Sequence, residues 1–187
     1  MNRPHGFTLV ELVMFIAILG ISAAGVLAAY DFTVRHSSDP VVRKQALAIA
    51  ESLLEEVQQM PFTYCDPDDP TVATASSAAA CATPETAGPE AGESRYSATT
   101  PFDNVNDYGA VISGSPGFSM NPIRDITNTV IPGLEAYTAT VTVTDLPGNT
   151  LPGISAGDAL LINVTVTGPA NVSVGIDSYR TRYAPRL

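Results

Sequence analysis

Positive charge is scarce in this sequence of 187 residues, which has nine Lys and Arg against 19 Asp and Glu and a formal net charge of −10. A surface with this balance repels phosphate backbones. No cluster of basic residues interleaved with aromatic residues is present to offset that repulsion. We therefore expect no nucleic acid among the partners of the protein.

Histidine is also scarce, with two residues in the whole chain. His36 lies just beyond a long hydrophobic run, and the sequence shows no evident Ser-His-Asp set, Cys-His pair or histidine cluster for a metal. Adjacent carboxylates such as Glu55 and Glu56 do occur, but on a helix they are typical of a solvated face. The sequence predicts neither an enzyme nor a bound cofactor.

Only two cysteines are present, Cys65 and Cys81. If this part of the chain lies outside the cytoplasm, it meets an oxidising compartment, and a single disulfide is expected. Closing a loop of that length contributes about 3 kcal/mol in the chain-entropy description. The alternative is that both remain unpaired as small buried residues.

The N-terminal part of the chain, in contrast, is rich in apolar residues. From Phe7 to Tyr30 the only charged residue is Glu11. As a helix this segment would extend about 36 Å, which exceeds a hydrocarbon core of about 30 Å. A cleaved secretory signal is the alternative, but its apolar stretch is normally only about 7 to 15 residues long. Residues 7–30 are therefore predicted to form a transmembrane helix.

Small residues within this segment predict close packing against another helix, because they let two backbones approach. Their spacing also allows local unwinding near the two glycines, which weaken a helix. These residues are Gly20, Ala23, Ala24, Gly25, Ala28 and Ala29.

Residues 31–61 predict an amphipathic second half of the helix. Ser38 or Asp39 can cap it, and Pro40 either starts a new helix or bends an existing one; we favour a bent, nearly continuous helix. Apolar residues recur at helical spacing and form a stripe for packing on a globular head. The stripe consists of Val42, Ala46, Ile49, Leu53, Val57 and Met60.

Residues 62–101 show no hydrophobic period and are rich in Pro, Asp, Ala, Ser, Thr and Gly, so they predict an exposed, flexible loop held by the two cysteines. Asp66, Asp68 and Asp69 could offer oxygen ligands to Ca²⁺. They lack the spacing and the glycine of an EF-hand loop, and aspartates beside prolines are common turn residues. We predict no metal site here.

Residues 102–187 predict a β-rich head. The stretches "AYTATVTVTDL", "DALLINVTVTG" and "NVSVGIDSYRTRYAP" have the composition and alternation of strands, and the turns between them favour an antiparallel meander. The predicted fold is α+β, a long N-terminal hydrophobic helix packed on a small antiparallel sheet. Arg180, Arg182 and Arg186 form a basic end, read either as a docking patch or, as we favour, as the solvated face of a strand.

The N-terminus resembles that of the type IV pilin superfamily. The resemblance rests on residues 6–11, "GFTLVE", followed by the long apolar helix. In that family a prepilin peptidase cuts after the glycine and methylates the new N-terminus. The resemblance therefore implies a leader at residues 1–6, cleavage between Gly6 and Phe7, and N-methylation of Phe7. Arg3 agrees with a cytoplasmic leader and a translocated head.

Glu11 is unusual because placing a carboxylate within a membrane span costs free energy. A charged residue at such a position is by default expected to have a function. The family resemblance implies that it pairs with the amine of Phe7 on a neighbouring subunit during assembly. The alternatives are that Glu11 reaches the headgroup layer or contacts the amine of its own chain.

Later parts of the chain, including "SSDPVVRKQALAIAESLLEEV" and "PFDNVNDY", resemble MshD-type minor pilins of the mannose-sensitive haemagglutinin (MSHA) pilus. This implies a minor pilin held in the inner membrane with a periplasmic head, and later a pilus at the cell surface. The implied partners are other pilins, the prepilin peptidase, an assembly platform and its ATPase. The alternatives are a pseudopilin of a type II secretion system, an adhesive pilus-tip module that binds through residues 62–101, and a membrane-anchored enzyme.

Overall fold

The computed structural model of the chain describes residues 6, 8–37, 39–109, 117–146, 152–155 and 157–182. The chain divides into two compact units, residues 1–41 and residues 42–187. Each unit is described by itself below.

Helix α1, Leu9–Ser37, is the main element of the first unit. It is apolar on every face over most of its length, and two of its hydroxyl groups are satisfied within the helix: Ser22 donates to the carbonyl of Ile18 at 2.8 Å and Thr33 to that of Ala29 at 2.9 Å. Since no polar side chain needs an external partner at these two positions, they can lie in an apolar environment.

Helix α2, Asp39–Gln59, provides the apolar stripe that the sequence predicted. The bend that we predicted at Pro40 stays a prediction, because Ser38, which separates the two helices, lies outside the described residues. From Ala46 to Val57 the stripe is buried in the head, and Val42 and Met60 pack partly against it. Ala50, which we did not include in the stripe, is fully buried as well. The helix that packs on the sheet is therefore α2.

Within the described residues the sheet contains four antiparallel strands in the order β1-β2-β3-β4. They are β1 Ser119–Met120, β2 Thr138–Asp145, β3 Ala159–Thr167 and β4 Ser173–Thr181. The last three are the predicted strands, paired as a meander, and β1 is a short addition at the edge. The α+β class and the antiparallel sheet are confirmed.

Alternation along the strands directs one face of the sheet to the core. Val141 pairs with Val164, and Val143 pairs with Ile162, all of them buried. The backbone at Gly117 approaches β2 so closely that a Cβ there would lie 1.8 Å from the carbonyl oxygen of Val141. Only glycine fits this approach, which brings residues 117 and 118 beside the sheet.

The segment predicted as an exposed loop, residues 62–101, is more deeply packed than its composition suggested. Within the described residues it forms a 3₁₀ turn at Ala78–Ala80 and an isolated bridge between Cys65 and Pro84. Single side chains along it are buried, although they follow no period. They are Phe62, Cys65, Asp69 and Arg95.

Candidate functional site

The start of α1 is fixed by a side chain that precedes it. The Thr8 hydroxyl accepts a hydrogen bond from the Glu11 backbone N–H at 3.3 Å, and the hydroxyl itself lies 3.4 Å from Glu11 Oε2. The first N–H groups of a helix have no partner within the helix, so a threonine at this position stabilises its first turn. Thr8 is thus the N-cap of the helix, and Glu11 lies in its first turn.

The Thr-x-x-Glu spacing of this cap is the signature of a capping box. It was visible in the sequence, but our interpretation of Glu11 did not use it. An acidic side chain in the first turn also interacts favourably with the positive end of the helix dipole. Glu11 therefore has a local structural role in addition to any role between subunits.

Gly6 lies two residues before the cap and is exposed. A Cβ built on Gly6 would meet no atom within 4 Å. Among the described residues, nothing therefore blocks a larger side chain at this position. Phe7, the predicted site of cleavage and methylation, lies outside the described residues.

Most of α1 offers its apolar side chains to the surroundings. Leu9–Val34 forms a span of 26 residues with a mean hydropathy of 2.5, and none of its most apolar stretch is buried. Its length and composition are sufficient to cross a membrane. Gly20 and Gly25 within it also have nothing within 4 Å of a built Cβ. A second helix could therefore approach the backbone at both glycines.

In the head, the predicted disulfide joins Cys65 and Cys81, with their Cα atoms 5.4 Å apart. Next to it, Asp69 accepts hydrogen bonds from the Thr71 N–H at 2.7 Å, the Thr71 hydroxyl at 2.6 Å and the Thr83 N–H at 2.5 Å. These bonds, led by that of the Thr71 hydroxyl, hold the pKa of Asp69 below its ordinary value. Asp69 is thus part of the loop's internal structure.

Two of the three arginines at the C-terminal end bind the head itself, while Arg186 lies outside the described residues. Arg180 donates to the carbonyl of Met60 at 3.2 Å. The Arg182 guanidinium lies 3.8 Å from the ring centre of Phe62 and forms an ion pair with Asp158 at 3.2 Å. These contacts tie the chain beyond α2 to β4. They replace the solvated face that we favoured from the sequence.

A charged pair between the buried Arg95 and the partly buried Glu56 was missed altogether. Glu56 accepts from Arg95 Nε at 2.6 Å and Nη2 at 2.7 Å, and from the Tyr108 hydroxyl at 2.7 Å. The sequence interpretation assigned Glu56 to a solvated helix face. Its position, three residues after Leu53 and seven after Ile49, places it beside the buried stripe and could have revealed it.

Comparison with known families gives a match at the N-terminus. A family model described as the prokaryotic N-terminal methylation motif matches residues 1–27. The matched segment includes Gly6, Thr8, Glu11 and the first part of α1. It indicates a type IV pilin-like prepilin, which implies processing by a prepilin peptidase and anchoring in a membrane through the N-terminal helix. No match was found among curated proteins or among solved structures.

Proposed function

We propose that this protein is a minor pilin of an MSHA-like type IV pilus. A prepilin peptidase cuts between Gly6 and Phe7 and methylates the new N-terminus at Phe7. Before assembly, α1 lies in the inner membrane and the head lies in the periplasm. The processed chain then enters the filament or primes its assembly, and it acts as a structural subunit rather than as an enzyme.

The observation that carries the proposal is the methylation motif placed at the beginning of an uncovered apolar helix. The motif occupies residues 1–27, and the span Leu9–Val34 has the length and composition to cross a bilayer. Gly6 supports the same reading, because a Cβ there would meet no atom within 4 Å. A glycine at a position where the described residues leave room for a side chain is explained by an enzyme that must reach the adjacent peptide bond.

Assembly requires the helix to exchange lipid for other helices. This exchange gains little hydrophobic free energy, since lipid tails are as apolar as the side chains. Close packing and polar contacts must therefore supply the favourable free energy of helix association. Gly20 and Gly25 each cost the helix up to about 1 kcal/mol relative to alanine. Close approach of a neighbouring helix at these positions offers a compensating gain.

Glu11 is proposed to pair with the amine of Phe7 on a neighbouring subunit. The Thr8 hydroxyl lies beside this carboxylate but carries no charge, so it does not neutralise Glu11. In a low-dielectric helical bundle, a cationic amine from another subunit would neutralise it and would set the register between the helices. Besides the other pilins, the proposed partners are an assembly platform in the inner membrane and its ATPase.

Mass spectrometry of the mature protein tests the processing step. Co-expression with a prepilin peptidase should remove residues 1–6 and add one methyl group to Phe7. Gly6→Val should leave the precursor uncut while the head folds normally, because the structure has room for the side chain. The same chains expressed without the peptidase are the control. A mature protein that keeps Met1 in the presence of an active peptidase would refute the proposal.

Deletion of the gene in its host separates the pilus from the secretion pseudopilus. A minor pilin predicts that surface pili become fewer or disappear, and that the protein is found in sheared filaments of the wild-type strain. Unchanged pili together with a block in protein secretion would instead identify a pseudopilin.

A further inference from the structure

Carboxylates converge on one region of the head, close to the disulfide. Three overlapping groups each place three carboxylate oxygens within 4.8 Å of one another. One group joins Glu85, Glu90 and Asp107, and the other two share Asp66. Together the groups contain seven residues, which we call the carboxylate cluster: Asp66, Asp68, Glu85, Glu90, Glu93, Asp103 and Asp107.

Backbone hydrogen bonds build this cluster from three separate segments. The Asp66 N–H donates to the carbonyl of Thr83 at 3.2 Å, and the Glu85 N–H donates to that of Tyr64 at 3.0 Å. These two bonds place Asp66 and Glu85 on adjacent segments of the chain. The Gly88 N–H donates to the carbonyl of Asn106 at 3.1 Å. This bond brings the segment between Glu85 and Glu90 onto the 3₁₀ turn Val105–Tyr108 that carries Asp107.

Three oxygens of the cluster are buried and have no hydrogen-bond partner among the described residues. These buried atoms without a partner are both carboxylate oxygens of Glu85 and the Oδ1 atom of Asp107. The Asp107 residue is only 1% exposed, and its other oxygen accepts from the N–H groups of Asp103 and Asn104 at 2.9 Å and 2.7 Å. Leaving buried carboxylate oxygens unpartnered is costly, so a missing partner is indicated at this point.

Arginine does not supply that partner within the described part of the chain. The charge of Glu85 is one of several that act on the pKa of Arg182, but Arg182 forms its ion pair with Asp158 at 3.2 Å. Burial, followed by the charges of Glu90 and Asp107, raises the pKa of Glu85 to about 9. Burial and the charge of Asp107 likewise raise the pKa of Glu93 to about 7. Apart from these pKa shifts, oxygens of Glu85, Glu90 and Asp107 lie within 4.8 Å of one another, and three oxygens of this group are buried without a partner among the described residues.

We propose that the carboxylate cluster binds one Ca²⁺ ion, with Glu85, Glu90 and Asp107 as its central ligands and Asp66 and Glu93 at its rim. Oxygens bound to one Ca²⁺ ion at 2.3 to 2.6 Å lie at most about 5 Å apart, which the 4.8 Å spacing satisfies. All the donors are hard oxygen atoms, as this cation prefers. Calcium is favoured over magnesium because Mg²⁺ demands a near-ideal octahedron and keeps several of its waters.

This site differs from the one that the sequence suggested and that we rejected there. Asp69 is saturated by hydrogen bonds from Thr71 and Thr83 and lies outside all three groups. Asp66 and Asp68 belong to the cluster only because distant carboxylates reach them. The proposal rests on the geometry of the head and is independent of the proposed role in a pilus.

The test uses the full chain in a non-ionic detergent, freed of metal with a chelator and then titrated with CaCl₂. Calorimetry should show one site with a dissociation constant of about 10⁻⁴ to 10⁻³ M, the range of extracellular calcium modules. Thermal unfolding should show a higher Tm with calcium. Glu85→Gln and Glu90→Gln should each weaken binding by more than about tenfold, since even the loss of an outer partner of a metal site costs that much. Glu51→Gln, an exposed carboxylate on α2, is the matched control and should bind as the wild type does.

Any one of three results would contradict calcium binding at the carboxylate cluster. A Tm and a calorimetric signal that do not respond to calcium up to about 10 mM, well above the range of such modules, would overturn the proposal. So would an equal response to MgCl₂, or a calcium response that both cluster variants retain in full. Each variant is first checked without calcium for the cooperative unfolding of the wild type. If Glu85→Gln fails this check, Glu90→Gln decides the question, because it leaves Glu85 and Asp107 unchanged.

Discussion

Arg95 and Glu56 form a two-pronged ion pair across 39 residues of sequence, with Nε to Oε1 at 2.6 Å and Nη2 to Oε2 at 2.7 Å. The Arg95 side chain is only 6% exposed. Its remaining nitrogen, Nη1, donates to the carbonyls of Arg124 and Asp125, each at 3.3 Å. The guanidinium of Arg95, which lies before the 3₁₀ turn Val105–Tyr108, thus joins its own segment to α2 and to the turn at residues 124–129.

Removing one member of this pair should strongly destabilise the head. Glu56→Gln leaves the buried Arg95 without its counter-charge, and such losses cost about 3 kcal/mol or more. Urea unfolding of the full chain in detergent measures the effect. Glu55→Gln, the neighbouring and exposed position, should change the free energy of unfolding by less than about 0.5 kcal/mol. Equal effects of the two variants would show that the pair adds no stability.

The same pair predicts a loss of stability in acid. Burial opposes ionisation of Glu56, but the hydrogen bonds from Arg95 and Tyr108 and the charge of Arg95 outweigh it and hold its pKa below the ordinary value of 4.5. The unfolded chain therefore takes up this proton first as the pH falls. The stabilisation is fully present above about pH 4.5 and disappears as the pH falls through the folded-state pKa.

Comparison with Glu56→Gln isolates this contribution. Between pH 6 and pH 3 the wild type should lose more of its free energy of unfolding than the variant, as measured by urea titration at each pH. Parallel losses would assign the acid sensitivity to other carboxylates, such as Asp125.

The helices and strands could be predicted because each repeats a pattern along the chain. The stripe of α2 recurs every three or four residues, and β2 alternates valine and threonine, so each position carries information about its neighbours. The segment at residues 62–109 has no such repeat. Arg95, for example, is held by contacts with Glu56 and Arg124, which are far away in sequence, and local periodicity cannot indicate such a group.

The candidate site was recognised only where a linear motif contains it. Gly6 and Glu11 belong to one short N-terminal pattern, and the Thr8 cap follows from the spacing within that pattern. The carboxylate cluster instead combines residues from 66 to 107, brought together by a bridge between Cys65 and Pro84 and by the contact of Gly88 with Asn106. Composition showed that acidic residues were abundant but could not show which of them meet.

Two variants separate the local role of Glu11 from its role between subunits. Glu11→Gln removes the charge but leaves the backbone N–H that Thr8 caps and a side-chain oxygen near the Thr8 hydroxyl. Thr8→Ala removes the cap, at a cost of about 1 kcal/mol to the helix, and keeps the charge. We expect Glu11→Gln to be cleaved normally yet to be depleted from sheared filaments, whereas Thr8→Ala is incorporated. The reverse result would make the carboxylate a helix-capping group only.

Close helix packing at Gly25 gives a second test of assembly. The position is open within the chain, so Gly25→Leu should leave the membrane-inserted precursor and its cleavage unchanged. A neighbouring helix that approaches the backbone there would clash with the larger side chain. We expect normal precursor abundance on immunoblots and a loss of the protein from filaments. Leu27→Ile, a change at an exposed position on the same helix, is the control.

The disulfide should stabilise the head mainly through the loop that it closes. Cys65 and Cys81 are 16 positions apart, and the chain-entropy relation gives about 3 kcal/mol for a loop of this size. The Cys65→Ala, Cys81→Ala double variant should lower the free energy of unfolding by 2 to about 3 kcal/mol. The hydrogen bonds of Asp69 and Asp66 to Thr83 hold the same two segments together, so the head should still fold. Treating the wild type with a reducing agent should reproduce the shift in urea midpoint and should leave the double variant unaffected. A wild-type midpoint that does not move on reduction would mean that these hydrogen bonds alone hold the segment in place.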